Sequence, residues 1–173
     1  MEDDAELVAR ANRGDAAAFE ALYRRHRDWV LALAERWTGN RDDALDVLQD
    51  VFAQFFGRFP GFVLTAQLKT YLYPAVRHLA LDRIRRRRPT VDVDTLADTL
   101  PAPPPSGTGS DLHRLIAALS PAHREVLLLR YADDLSLPQI AAALGVPLGT
   151  VKSRLHHALS VLKARRSTDA HDS

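Results

Sequence analysis

Apolar residues recur every three or four positions through most of this 173-residue chain, the spacing of amphipathic helices. Residues 41–56 show it most cleanly, with Ala44, Val47, Leu48, Val51, Phe52 and Phe55 on one stripe. A longer helix is predicted from an Asp15 N-cap to Thr38, where Gly39 offers a stop; Phe19, Leu22, Tyr23, Val30, Leu33, Ala34 and Trp37 mark its buried side. A short helix over 5–13, ended by Gly14, precedes it. Residues 57–65 read as a loop around Pro60 and Gly61. A helix over 66–87 follows, with Leu68, Tyr71, Leu72, Ala75, Val76, Leu79 and Ala80 on one side. Pro74 lies inside it and removes one backbone donor; the apolar period continues in phase beyond it, so a kink is expected, not a break. No segment shows convincing period-two alternation, and no strand is predicted.

Residues 89–110 hold five prolines and two glycines and cannot sustain a helix or central strand. They read as a linker, with Val91, Val93, Leu96 and Leu100 able to dock on a partner. The chain therefore divides into a domain over 1–88, the linker over 89–110 and a domain over 111–173. In the second domain, helices are predicted over 111–119 from Ser110, from Pro121 to Tyr131, over 137–144, and from Leu148 to Arg165, with a turn at Gly145-Val146-Pro147. The fold class is all-α, two small helical domains joined by a Pro-rich linker.

Charge changes the picture. The net charge of +1 hides segregation. Residues 1–57 carry −5, 58–88 carry +7, 89–110 carry −3, 111–145 carry −1, 146–166 carry +5, and the tail −2. Two separated basic stretches suggest two contacts with a polyanion. The absence of cysteine excludes disulfides, thiolate metal sites and a cysteine nucleophile. No apolar run reaches the ~18 residues of a membrane span, and the acidic start is unlike a signal peptide, so a cytoplasmic protein without membrane insertion is expected.

Three motifs carry chemistry. Ser136 to Leu155 has helix-turn-helix spacing. Ile140, Leu144, Val151 and Leu155 can form its small core, and Gly145 suits the turn. The face left over displays Thr150, Lys152, Ser153, Arg154, His156 and His157, groups suited to phosphates and base edges. The second motif is Asp82-Arg83-Ile84-Arg85-Arg86-Arg87-Arg88, preceded by Lys69, Arg77 and His78 and flanked by Phe62, Tyr71 and Tyr73; basic groups among aromatics can hold an unpaired strand. In the third, Asp42, Asp43, Asp46, Gln49 and Asp50 lie opposite the apolar stripe of 41–56. This acidic ridge has no His or Cys beside it and suits a basic protein partner better than metal or acid–base chemistry. Its exposed side is expected to make few contacts within the chain.

In order and spacing these motifs resemble the extracytoplasmic-function (ECF) group of bacterial sigma-70 factors over nearly the whole chain. Residues 42–56 are similar to the region 2.2 helix, 69–87 to regions 2.3 and 2.4, and 119–155 to region 4. Tyr71 stands where the family usually has Trp, Pro74 where a helix former is usual, His78 for Asn and His157 for Arg. The resemblance implies a factor that binds core RNA polymerase and directs promoter-specific initiation. Asp43, Asp46, Gln49 and Asp50 would meet the β′ clamp helices, and the β flap would be a further contact. The helix-turn-helix would read the −35 duplex. Phe62, Thr65, Gln67, Lys69, Tyr71, Arg77, His78, Arg83, Arg85 and Arg86 would capture the −10 strand, with a base pocketed by the loop over 62–67. An anti-sigma factor is a further implied partner. A stand-alone helix-turn-helix regulator is the alternative, but it would leave the first 88 residues without a role. No Gly-rich phosphate loop, zinc motif or Ser/His/Asp pattern supports an enzyme, a metal or a cofactor.

Overall fold

The computed structural model describes residues 2–87 and 111–169. The predicted linker over 89–110, with its four docking candidates, Ser110 and Arg88 lie outside the described residues. Two compact units divide between residues 91 and 92. Among the described residues there are eight helices and no strand.

The first unit holds α1 (Asp4–Ala11), α2 (Ala16–Thr38), α3 (Arg41–Phe56) and α4 (Leu68–Arg87). Asp3 and Glu6 form a capping box at the start of α1, satisfying backbone donors that a helix start leaves open. Asp15 caps α2, which Gly39 closes in the left-handed conformation at φ 63°. Asn40 accepts from the Asp43 amide to start α3. Leu22, Val30, Leu33, Ala34 and Trp37 of α2 are buried with Ala44, Val47, Val51 and Phe55 of α3 and Leu68, Leu72, Tyr73, Val76 and Ala80 of α4. His26 also lies in this core, in register between Leu22 and Val30, with Nε2 2.9 Å from Asp4. Burial pushes the Asp4 carboxyl up, but hydrogen bonds to His26 and Arg25 outweigh this and hold it below its ordinary range. α4 runs unbroken through Pro74.

The second unit holds α5 (Asp111–Ala117), α6 (Pro121–Tyr131), α7 (Leu137–Leu144) and α8 (Leu148–Asp169). Pro121 opens α6, where its missing donor costs nothing. A Ser136–Gln139 capping box opens α7, and Gly145 closes it at φ 65°, a conformation a side chain would strain. Ile140 and Val151 are fully buried between α7 and α8, as the spacing predicts. Leu155 also packs against Leu119, Leu127 and Ala158, beside Ile116, Val161 and Leu162. Arg124 is buried as well: Nε donates to the Ile116 carbonyl at 3.2 Å, and Nη2 to those of Ala117 at 2.6 Å and Leu119 at 3.0 Å. It satisfies the carbonyls that the end of α5 leaves open.

Candidate polymerase and nucleic-acid interfaces

The acidic ridge forms on α3 as its spacing requires, but it is not bare. Arg83 of α4 spans it, with guanidinium nitrogens 2.9 Å from Asp46 and 3.4 Å from Asp50. One turn further, Arg87 reaches Asp43 at 2.9 Å. The expectation of few contacts within the chain is corrected: the ridge is charge-paired to the basic end of the neighbouring helix. Asp43 is buried, whereas Gln49 is exposed and Asp46 and Asp50 stay half-exposed. Leu45, 38% exposed, puts an apolar group beside them. Arg85 and Arg86 pair with Asp82 on their own helix, at 3.8 and 2.7 Å.

The loop between α3 and α4 holds a second correction. Phe62 is 9% exposed, its ring 5.2 Å from Phe55, 5.4 Å from Phe59 and 4.8 Å from Tyr71. It is part of an aromatic core and offers no open face for a base. Asn12, at the end of α1, pins the loop: its amide donates to the Phe62 carbonyl at 2.8 Å, and its oxygen accepts from the Gly61 and Phe62 amides at 2.7 and 3.1 Å. Gly61, at φ 100°, makes the turn that brings both amides to Asn12. Val63 is left 74% exposed, and Thr65 and Gln67 are exposed polar groups beside it. Tyr71, 38% exposed, is the aromatic that faces outward, next to a cleft of about 400 Å³ lined by Gln54, Arg58, Thr70 and Pro74 among others. Lys69 lies 5.5 Å over the Trp29 ring and the Arg77 guanidinium 5.2 Å over Trp37, so both basic groups run along aromatic faces of α2. His78 is exposed.

In the second unit, Lys152, Ser153, His156 and His157 are exposed on α8, and Thr150 and Arg154 are half-buried. The His157 ring packs on His123 of α6 with centroids 4.6 Å apart. His123 Nδ1 in turn shares a 2.8 Å hydrogen bond with the Ser120 hydroxyl. The outer face of α8 therefore extends onto the start of α6. Among the described residues no cluster of three or more His, Asp or Glu side chains could hold a metal ion, and no helix is long and apolar enough to cross a membrane.

Residues 22–90 match the family model of Sigma-70 region 2, and residues 110–162 that of Sigma-70, region 4. The ECF RNA polymerase sigma factor SigL of Mycobacterium tuberculosis is 32% identical over 164 residues, covering 90% of this chain and 93% of SigL. The chain belongs to the ECF sigma factors. The ECF RNA polymerase sigma factor SigW of Bacillus subtilis is 28% identical over 173 residues, 90% of this chain and 92% of its own. Among solved structures, CnrH in complex with the cytosolic domain of CnrY superposes with a TM-score of 0.66 at 27% identity, over 96% of this chain and 98% of CnrH. As a sigma factor the protein binds RNA polymerase and directs transcription initiation; a stand-alone regulator would not require region 2.

Four residues of this sigma factor lie outside the sequence reading. Asn12 and His26 act through partners 50 and 22 residues away, and Arg124 through carbonyls at the end of the preceding helix; no helical period encodes any of these. His123 had a weak signal, standing three residues after Ser120 at a helix start. Burial lowers its pKa from the ordinary 6.5, and the nearby His157 and Arg154 lower it further. A histidine depressed in the folded state favours the neutral form. Its contribution to stability is full above the unfolded value and is lost as pH falls through the folded one. The second unit should therefore lose stability below about pH 6.5, and His123→Gln should flatten that loss. Differential calorimetry of both chains between about pH 7.5 and 5 is the check; parallel pH profiles would mean that folding leaves the proton affinity of His123 unchanged.

Proposed function

We propose that the two units divide promoter recognition between them. The second unit reads the −35 element as duplex, with Lys152, Ser153 and Arg154 on the leading turns of α8 and with Thr150, His156 and His157 beside them. The first takes the −10 strand along α4 and its loop, where Tyr71 in place of Phe62 presents the stacking face. Thr65 and Gln67 supply polar edges, and Lys69, Arg77, His78 and the arginines of α4 supply charge. Asp46, Gln49 and Asp50, with Asp43 behind them, meet the β′ clamp helices of core polymerase, and the β flap is a further contact. Residues 89–110 join the two domains. The protein acts in the cytoplasm by binding, without covalent chemistry of its own. An anti-sigma factor is proposed as its regulator; the neighbouring CnrH is itself seen in a complex, with the cytosolic domain of CnrY.

The observation that carries this reading is the basic, exposed outer face of α8 in a helix-turn-helix whose inner face is fully packed through Ile140 and Val151. Lys152→Ala and Arg154→Ala should each lower the salt slope of duplex binding by about 0.9 if they neutralise a phosphate. If either contacts a base in bidentate fashion, preference at that base should fall by about 1–3 kcal/mol. Salt titrations with a −35 duplex obtained by mapping run-off start sites decide it. Unchanged affinity and slope in both variants would remove α8 as the reader.

A further inference from the structure

Arg83 and Arg87 stand one helical turn apart on α4 and face Asp43, Asp46 and Asp50, which stand on successive turns of α3. Two charged stripes of opposite sign are thus zipped together along one side of the first unit. The zipper is open to solvent at Arg83, 32% exposed, and at Asp46 and Asp50, 50% and 49% exposed; at its other end Arg87 is 57% exposed over an Asp43 carboxylate that is only 12% exposed. Exposed ion pairs are weak and exchange readily with competing charges. Arg85 and Arg86, by contrast, pair among the described residues with Asp82 on their own helix and not with the ridge.

We propose that Arg83 and Arg87 are shared between the two binding surfaces of this unit. In the free protein the ridge carboxylates hold them. A cationic partner face docking on the ridge takes over the carboxylates and releases both guanidiniums to DNA phosphates. The inference rests on the reading that gives the ridge to polymerase and the basic helix to the −10 strand. It adds that the two events are coupled through these arginines. Coupling between sites is reciprocal, so removing the arginines must also help the ridge bind its partner.

A double-mutant cycle on the full chain, without polymerase, tests it. The probe is a labelled oligothymidylate of about 12 nucleotides, within the reach of one single-strand site. Asp46→Asn/Asp50→Asn should bind it about fivefold more tightly than wild type, the size of a modest coupling, and steepen the salt slope by about 0.7 for the one arginine released. In an Arg83→Gln background the same pair should gain no more than a charge-matched control, Glu20→Gln/Asp28→Asn on α2. An equal gain with and without Arg83 would overturn the proposal, leaving only a general effect of net charge. Arg83→Gln should also capture core polymerase more tightly than wild type; weaker capture would make Arg83 part of the polymerase surface and equally overturn it. Failure of the underlying reading looks different. Arg85→Gln/Arg86→Gln, which leaves the ridge untouched, should weaken oligonucleotide binding in every background, and no effect there would remove the basic helix as the DNA surface.

Discussion

Asp46→Lys/Asp50→Lys is expected to lower capture of core RNA polymerase by more than about a hundredfold, because like charges forced together at an interface cost several kcal/mol. The two carboxylates stand one turn apart on α3, half-exposed, beside the exposed Leu45, so a docking helix would meet both at once. The same change turns two attractive contacts of Arg83 into repulsive ones. Exposed pairs contribute about 0–1 kcal/mol each, so the first unit should lose about 1–2 kcal/mol and remain folded. Both tryptophans of the chain, Trp29 and Trp37, lie on α2. Urea titration followed by tryptophan fluorescence therefore reports on this unit alone. Normal competition for core enzyme by a variant that melts close to wild type would show that the ridge is not the docking surface.

Phe55→Ala should be among the most damaging single substitutions in the first unit. Its ring is fully buried and lies between 5.2 and 6.5 Å from those of Phe52, Phe56, Phe59, Phe62 and Tyr71. Truncating a buried Phe removes its transfer energy and leaves a cavity, about 3–5 kcal/mol together, against total stabilities of about 5–15 kcal/mol for small domains. The tryptophan urea transition should shift by that amount. Opening of the −10 element should also fail, because Phe62 and Tyr71, which flank the loop, both rest on this ring. A shift below about 1 kcal/mol would mean that the cluster can collapse around the missing side chain.

What the amino-acid order discloses depends on how far apart the partners stand. The stripe of α3, the Asp15 cap with Gly39, and the Ser136–Gly145 punctuation are local, and each produces the element expected of it. The placement of Phe62 is not local. A loop aromatic followed by Val and Leu fits an exposed recognition loop as well as a core. The choice was made by Phe55 and Tyr71 arriving from the two flanking helices and by Phe59 within the loop, which buried Phe62 and left Tyr71 outward. The ridge was legible as a face, but its pairing with Arg83 and Arg87 joins residues some 33–44 apart. Helical period says nothing about which helix lies opposite. Nothing in the helical period singles out Arg124. It is buried because its guanidinium reaches back from α6 to supply donors to the carbonyls at the end of α5.

Asn12 sets a practical limit on modular engineering. The similarity to Sigma-70 region 2 begins at residue 22, yet the loop before the basic helix is pinned by three hydrogen bonds from a residue ten positions earlier. A chimera spliced at the family boundary would carry the loop without its clasp, and a promoter preference measured on it would belong to a differently shaped loop. Exchanges of recognition modules among such factors should therefore move α1 together with the loop it fastens.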